Sequence, residues 1–331
     1  ILGELMKGRK TRAELAKKLG LQPSTVTYST ARMIEAGLVR EEENAEKDGQ
    51  GRKAVLLGLN PNYGYIVGIE LLVGLYRIVV RDISGTVLLK EECRYDESVT
   101  AGKGTRERFV QLVECARKKA EAFSPIRGMC IAIAGIVGKD FHSIINTWTH
   151  VLHHEDFSTL LSSFPYPVWF ENDANCAAQK YLFQDAKSHD SFLYTLVHYY
   201  QKKNVPEQVP TVGIGLGLAI DGTLYRGWND KAGEFRSYLY DDQTRPGQLH
   251  MTNDELIALG SDKDVQKRFM MELLRNLLAA RAIFDPRVLY IGGDIVTKDG
   301  IDEILHDTFP FLKEEEHCIS VVENATWDVS E

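Results

Sequence analysis

The sequence predicts a mixed α/β protein: a winged helix-turn-helix module at the N-terminus, then two similar α/β lobes with a cleft between them. Three observations carry that reading. The chain has 331 residues, 44% hydrophobic and 26% charged, which is too long for one ordinary core and apolar enough to bury several. Its first sixty residues alternate short helical stretches with glycine stops and a polar tip. After residue 62 a strand-rich run, a helix and a further apolar strand occur twice, the pattern of two α/β halves. The expected domains are 1–61, 62–175 and 176–331.

In the head, Leu15, Ala16 and Leu19 give "TRAELAKKL" an apolar helical face, and Gly20 stops it, since glycine adopts the left-handed conformation that follows a helix end. Pro23 and Ser24 open the next helix. Val26, Ala31, Ile34 and Met33 are expected to form its buried stripe, leaving Ser24, Thr25, Thr27, Tyr28 and Thr30 largely on the open face. With Arg32, these hydroxyl side chains are the candidates for reaching phosphates and base edges in a DNA major groove. Gly37 ends the helix, and "LVREEENAEKDGQGRKAVLLGLN" reads as two strands around a polar tip. At that tip Gly51, Arg52 and Lys53 suit insertion of a guanidinium into a narrow, negative minor groove. Asn60-Pro61 marks the boundary with the body.

Charge supports this division. The whole chain carries −8, yet residues 1–60 hold 11 Lys/Arg against 8 Asp/Glu, and the first 40 hold eight against three. A basic head on an acidic body points to an acidic partner for the head alone. The five cysteines are scattered, odd in number and without a Cys-x-x-Cys pair, which suits a reducing cytoplasm rather than a disulfide or zinc scaffold. No apolar run approaches the ~18 residues of a membrane span. The start lacks a signal-peptide pattern and an initiator Met, so the chain is expected to be part of a longer one.

In the body, "YGYIVGIELLVGLYRIVVRDISGTVLLKEECRY" reads as three strands with a turn at Asp82–Gly85, followed by a helix over Thr105–Phe123. "GMCIAIAGIV" and "YPVWF" are strands, the second running into "ENDANCAA". "TVGIGLGLAIDGTLYRG" reads as two strands around Asp221-Gly222, followed by a helix over Asp262–Phe284 and the strand "VLYIGGDI". Asp173 falls at the carboxyl end of a strand, where α/β sites lie. Its carboxylate suits either a general base or an acceptor that only holds a hydroxyl. Both Asn172 and Asp173 can also cap the following helix.

These pieces resemble, in order, the ROK family of repressors, open reading frames and sugar kinases: the winged helix-turn-helix at 12–58, "AIAGIV", "ENDANCAA", "GIGLGLAIDGTLYRG", "AGE" at 232–234 and "LYIGGDI". The resemblance implies two actin-like ATPase (RNase H-like) lobes and a body that binds a sugar or sugar phosphate. It implies Gly135, Asn146, Asn172, Asp173 and Glu234 as sugar-binding residues. It also implies Gly213, Gly215 and Gly217, a second phosphate turn, and Gly292 and Gly293, on the adenosine side, as vestiges of a nucleotide site.

The chain departs from the family's kinases at the first phosphate turn, which is glycine-rich with a Thr after an Asp. Here Glu70 replaces the Asp, and Leu71, Leu72 and Val73 stand where small residues would let backbone N–H groups approach phosphate. Asp173 is therefore expected to hold a hydroxyl rather than to abstract a proton, and no catalytic residue is expected. After Glu234-Phe235 the family's Gly-His is Arg236-Ser237, and its cysteine-rich zinc loop has no counterpart in "YLYDDQTRPGQLHMTNDEL"; no zinc and no cofactor are expected. His150, His153 and His154 read as a polar surface loop, and Trp148 and Trp228 as core residues that could alternatively stack on a sugar. The family's C-terminal Gly-Ala-Ala segment is absent. The resulting expectation is a cytoplasmic, homodimeric (or tetrameric), sugar-responsive regulator of a double-stranded DNA operator. The rivals are an ATP-dependent sugar kinase with a regulatory head and a DNA-binding protein that ignores ligand.

Overall fold

The computed structural model describes residues 1–43, 55–95, 103–184, 191–201, 209–241, 247–309, 318–322 and 325–330. The head contains α1 (Leu2–Met6), β1 (Lys10–Thr11), α2 (Arg12–Leu19), α3 (Pro23–Glu35), β2 (Val39–Glu43) and β3 (Val55–Leu59), with an antiparallel sheet in the order β1-β3-β2. Helix α2 begins where Thr11 and Glu14 satisfy each other's backbone N–H in a capping box, and it ends at Gly20 with φ 62°. Helix α3 ends in a Schellman motif: Leu38 N–H bonds Met33 C=O, Gly37 N–H bonds Ile34 C=O, and Gly37 takes φ 75°. The buried stripe of α3 runs through Val26 and Thr30, with Met33 and Ile34 half-buried, while Ala31 is exposed. The helical period explains why Thr30 and Ala31 exchange their expected places: position 30, not 31, is four residues from 26. Thr30 is satisfied there, donating to Val26 C=O at 2.8 Å and accepting from Arg12 Nε at 3.2 Å.

The body contains two sheets of identical connectivity. In the N-terminal lobe, β4 (Tyr65–Leu71), β5 (Leu75–Asp82) and β6 (Val87–Arg94) pair antiparallel; α4 (Thr105–Ala120) follows, then β7 (Ile126–Ile133) and β11 (Val168–Asn172) join parallel, giving the order β11-β7-β4-β5-β6. A smaller sheet of β8 (Ile136–Val137), β9 (Ser143–Thr147) and β10 (Leu152–Asp156), then α5 (Ser158–Ser162), are inserted between β7 and β11. In the C-terminal lobe, β12 (Phe192–Tyr199), β13 (Val212–Ile220) and β14 (Thr223–Tyr225) repeat the antiparallel triplet. Helices α7 (Asn253–Ala258) and α8 (Lys263–Phe284) lead to β15 (Val288–Gly293), and α9 (Lys298–Thr308) leads to β16 (Ile319–Val322). The order is β14-β13-β12-β15-β16. The turn between β13 and β14 has positive φ at both Asp221 and Gly222, as a tight two-residue hairpin requires.

Each lobe has its own core. Val67, Ile69, Leu71 and Ile78 meet Phe109, Val113, Phe157 and Phe170 in one; Val197, Ile214, Leu289 and Ile291 meet Phe269, Leu273 and Leu277 in the other. Helix α6 (Asp173–Gln184) leaves β11 and packs Ala174, Ala177 and Ala178 against Phe192, Tyr194, Leu196 and Ala219 of the second sheet. The expected boundary at residue 175 falls inside this helix. Small residues let it lie close: a Cβ on Gly217 would sit 2.4 Å from Ala174 O and 2.5 Å from Ala178 Cβ. The turn 325–330 also joins the lobes. Asp328 accepts from Lys180 Nζ, Tyr181 OH and Tyr194 OH at 2.8, 3.0 and 2.9 Å, and Ser330 O lies where a Cβ on Gly68 of β4 would be, 2.0 Å away. Among the described residues no helix is long and apolar enough to cross a membrane.

Candidate functional site

A cleft of about 430 Å³ opens between the lobes, walled by the carboxyl end of β11, the start of α6, the end of β12, the start of β13 and residues from 234–240 and 247–256. Gly135, Asn172, Asp173 and Glu234 line it together with Gly213 and Gly215, and Gly215 is bridged to Glu234. Asn146 is not part of this wall. It sits in β9, its Oδ1 is buried without a partner, and its backbone O is 2.3 Å from where a Cβ on Gly135 would lie.

Asn172 is committed to structure. Its Oδ1 accepts from Asn175 N–H at 3.0 Å, capping α6, and its Nδ2 donates to Gly135 O at 2.9 Å. Asp173 is buried, with Oδ1 accepting from its neighbour Ala174 N–H at 2.8 Å and Oδ2 3.2 Å from His198 Nε2. Glu171 secures the same corner by accepting from Asn172 N–H and Asn175 Nδ2 and pairing with Arg226. Glu234 lies at the cleft mouth, its residue surface open on one side and its carboxyl partly withdrawn from water; that desolvation and then the charge of Asp173 raise its pKa, with Lys231 opposing.

His198, at the end of β12, is the residue that sequence reasoning missed. Its Nε2 also lies 3.8 Å from Glu70 Oε1, and Glu70 pairs with Arg77 at 3.0 Å. Burial alone would lower the imidazole's pKa. The hydrogen bond and charge of Asp173, then the charges of Glu70 and Asp294, outweigh it and raise the value to about 9. Burial pushes the Glu70 carboxyl up, against the pull of His198 and Arg77. The detectable signal was an apolar run, "FLYTLVHY", broken by one histidine near its end.

Several expectations change here. Gly213 to Gly217 form no turn: they lie within β13, paired with Tyr194 to His198 of β12. Gly292 and Gly293 end β15, where a Cβ would meet Tyr194 OH at 2.8 Å and Val197 O at 2.1 Å respectively, so close packing alone requires both glycines. Trp148 and Trp228 are not core; they are 60% and 85% exposed, and Trp148 lines the cleft. His150 departs from the expected surface loop: it packs edge-on to Phe109, with Nε2 3.4 Å from Leu71 O, and burial lowers its pKa to about 4. His153 and His154 are exposed, on β10. Ser237, in place of the family's His, is buried and accepts from Asn276 Nδ2 at 3.2 Å. Among the described residues no three His, Cys, Asp or Glu are grouped to hold a metal.

In the head, Ser24, Thr25, Thr27, Tyr28 and Arg32 are exposed together on α3, and the Arg32 guanidinium lies 5.9 Å from the Tyr28 ring centre. Gly51, Arg52 and Lys53 lie outside the described residues.

The sequence profile of the ROK family matches residues 66–248, and that of a winged helix-turn-helix DNA-binding module matches residues 1–40. The chain belongs to the ROK family. Among curated relatives, the xylose repressor of Bacillus subtilis (strain 168) is 27% identical over 237 residues, covering 71% of this chain and 58% of that protein. The xylose repressor of Staphylococcus xylosus is 29% identical, over 68% of this chain and 55% of its own. The chain thus spans little more than half the length of the curated relatives it matches. In fold it resembles a ROK family transcriptional regulator, a homologue of the E. coli MLC protein, with a TM-score of 0.67 at 17% identity over 97% of this chain and 90% of the other. A ROK glucokinase from Streptomyces griseus, in complex with glucose and AMPPNP, gives 0.55 at 18% identity over 72% and 88%.

Proposed function

We propose that this protein is a sugar-responsive transcriptional repressor: the head binds operator DNA as a homodimer in the cytoplasm, and a pentose of the xylose class occupies the cleft. The observation that carries this is the pairing of a winged helix, whose hydroxyl- and arginine-bearing face is exposed, with an inter-lobe cleft that ends on a buried carboxylate, Asp173. An ionised carboxylate accepts strong hydrogen bonds from sugar hydroxyls, and Trp148 offers a face for stacking. The names of the xylose repressors suggest which sugar to try first.

Ser24, Thr25, Thr27, Tyr28 and Arg32 are proposed to contact DNA, with Gly51, Arg52 and Lys53 at the wing tip. Asp173 and Glu234 are proposed to hold sugar hydroxyls, with Gly135 and Asn172 shaping the wall. For DNA regulation the ligand must favour one lobe arrangement over another.

The hairpin between β4 and β5 supports a loss of kinase activity. Leu71 and Leu72 are buried, Leu72 N–H bonds Leu75 O at 3.0 Å, and Gly74 N–H bonds Tyr95 OH at 3.0 Å. Those amides are occupied within the protein, whereas a phosphate cradle needs N–H groups free to face the anion. The rival kinase reading draws on the shared fold with the glucokinase. Mobility-shift titration against genomic fragments, with and without D-xylose, tests the repressor reading: specific binding that the sugar weakens is expected. Absence of any specific site at physiological salt overturns it. Release of ADP on incubation with ATP and any pentose or hexose favours the kinase.

A further inference from the structure

The floor of the cleft holds an arrangement that neither the family nor the sugar-binding reading assigns. His198 extends from β12 of the C-terminal lobe, while the two carboxylates nearest its Nε2 belong to the other side. Asp173 Oδ2, at the junction of β11 and α6, is 3.2 Å away, and Glu70 Oε1, on β4, is 3.8 Å away. Both carboxylates are almost fully buried, at 4% and 1% exposure, and Glu70 Oε1 has no hydrogen-bond partner. An unpartnered buried oxygen is unfavourable unless something cationic or protic faces it, and His198 does so.

We propose that His198 is a positioning residue of the ligand cleft: it fixes the Asp173 carboxylate as a hydroxyl acceptor and bridges the two lobes, so that cleft occupancy and lobe closure are coupled through it. This rests on the reading of the cleft as a sugar site and adds to it the residue through which binding is felt. An aspartate that already accepts from a donating imidazole has little tendency to take a proton from a sugar hydroxyl. It retains lone pairs with which to accept a hydrogen bond from one. The same contact therefore explains how an aspartate in a kinase-like position comes to hold rather than to react.

The charged and titratable groups facing His198 are Asp173 from α6, Glu70 from β4 with Arg77 of β5 behind it, Asp294 after β15, and Tyr200 from its own segment, stacked at 6.0 Å. The carboxylates favour a protonated ring, and its desolvation opposes them.

The test needs no ligand for its first two parts. Unfolding of the full chain is measured for wild type, His198→Gln, Asp173→Asn and the double variant. The two changes are expected to be coupled by about threefold or more in the unfolding constant, and independent effects overturn the bridge. Histidine NMR follows the His198 ring, identified by its absence in His198→Gln. Protonation persisting through pH 8, with a midpoint that falls by at least about one unit in Asp173→Asn, is expected. A wild-type midpoint at or below the ordinary value of about 6.5 overturns the proposal without relying on any variant.

The third part uses D-xylose, then other pentoses and hexoses, in thermal-shift titrations. Wild-type affinity is expected to fall about tenfold as pH passes 9, while His198→Gln binds weakly with a flat profile. Equal affinity and an equal pH profile in the two proteins overturn the positioning role. If no sugar binds wild type, the sugar-site reading fails, and with it the coupling to occupancy; the unfolding cycle and the ring titration still decide the bridge.

Discussion

Asp173 has one oxygen engaged by its own helix and the other by His198. Asn in its place keeps the size and one acceptor, but loses the charge that makes the remaining hydrogen bonds strong. Asp173→Asn is therefore expected to retain DNA binding without sugar and to lose about tenfold or more of the sugar-induced response, read by mobility shift. An unaltered response removes the assignment. His198 also has a pH consequence. Its folded value of about 9 lies above the unfolded value near 6.5, so its contribution to stability is complete below about pH 6.5 and is lost as pH rises through 9. Urea midpoints should fall between pH 7 and 10 in wild type, and fall less in His198→Gln. At this scale the sequence was half readable. Asn172, Asp173 and Glu234 sit in the short motifs that carry the family resemblance, and the fold brings all three to the cleft wall. His198 stands 25 positions from Asp173, at the end of an apolar strand, and only the fold brings the two side chains together.

The strand triplet β4–β6 was legible because turn residues punctuate it. β12 was harder to place: it is a central strand buried on both faces, reads as one apolar run and shows no alternation. The glycines of β13 show why a motif can be recognised yet misread. They recur every second residue because one face of the strand lies under α6 or the cleft, and a strand's period is two. They differ sharply in how much room they have. A Cβ at Gly217 would press on Ala174 O and Ala178 Cβ at 2.4 and 2.5 Å, whereas at Gly213 its nearest neighbour is His198 Cβ at 4.0 Å. Gly217→Ala is expected to push α6 from the sheet and destabilise by about 1–3 kcal/mol, while Gly213→Ala should change stability by less than about 1 kcal/mol. Urea denaturation of the two variants checks the contrast, and equal effects would mean that α6 does not rest on β13 as described. In the head, Thr11→Ala removes the α2 cap and should destabilise by about 1 kcal/mol, seen as a lower denaturation midpoint.

At the scale of the whole molecule, the repeat of one strand order in both lobes made the architecture readable, but the means of joining the lobes was not. "NATWDVSE" carries no periodic signal, and its partners lie far away in the chain. Asp328 is buried among Lys180 and Tyr181 of α6 and Tyr194 of β12, while Ser330 covers Gly68 on β4. One short turn therefore touches the connecting helix and both sheets. Removing one member of a buried ion pair leaves the other without compensation, which typically destabilises by about 3–5 kcal/mol. Asp328→Ala should do more than lower stability: with the turn released, the lobes keep separate cores and are joined only through α6 and the polar contacts at the cleft, the Glu171–Arg226 pair and the His198 bridge among them. Calorimetry is expected to show a single transition for the body of the wild type and two in Asp328→Ala. Lys180→Met removes the charge left behind and should recover part of the lost stability in the double variant, without restoring the single transition. A single, merely shifted transition in Asp328→Ala would show that α6 and the cleft contacts suffice to couple the lobes. Any sugar-driven change in their angle would then be transmitted through the helix and the cleft contacts and not through the turn.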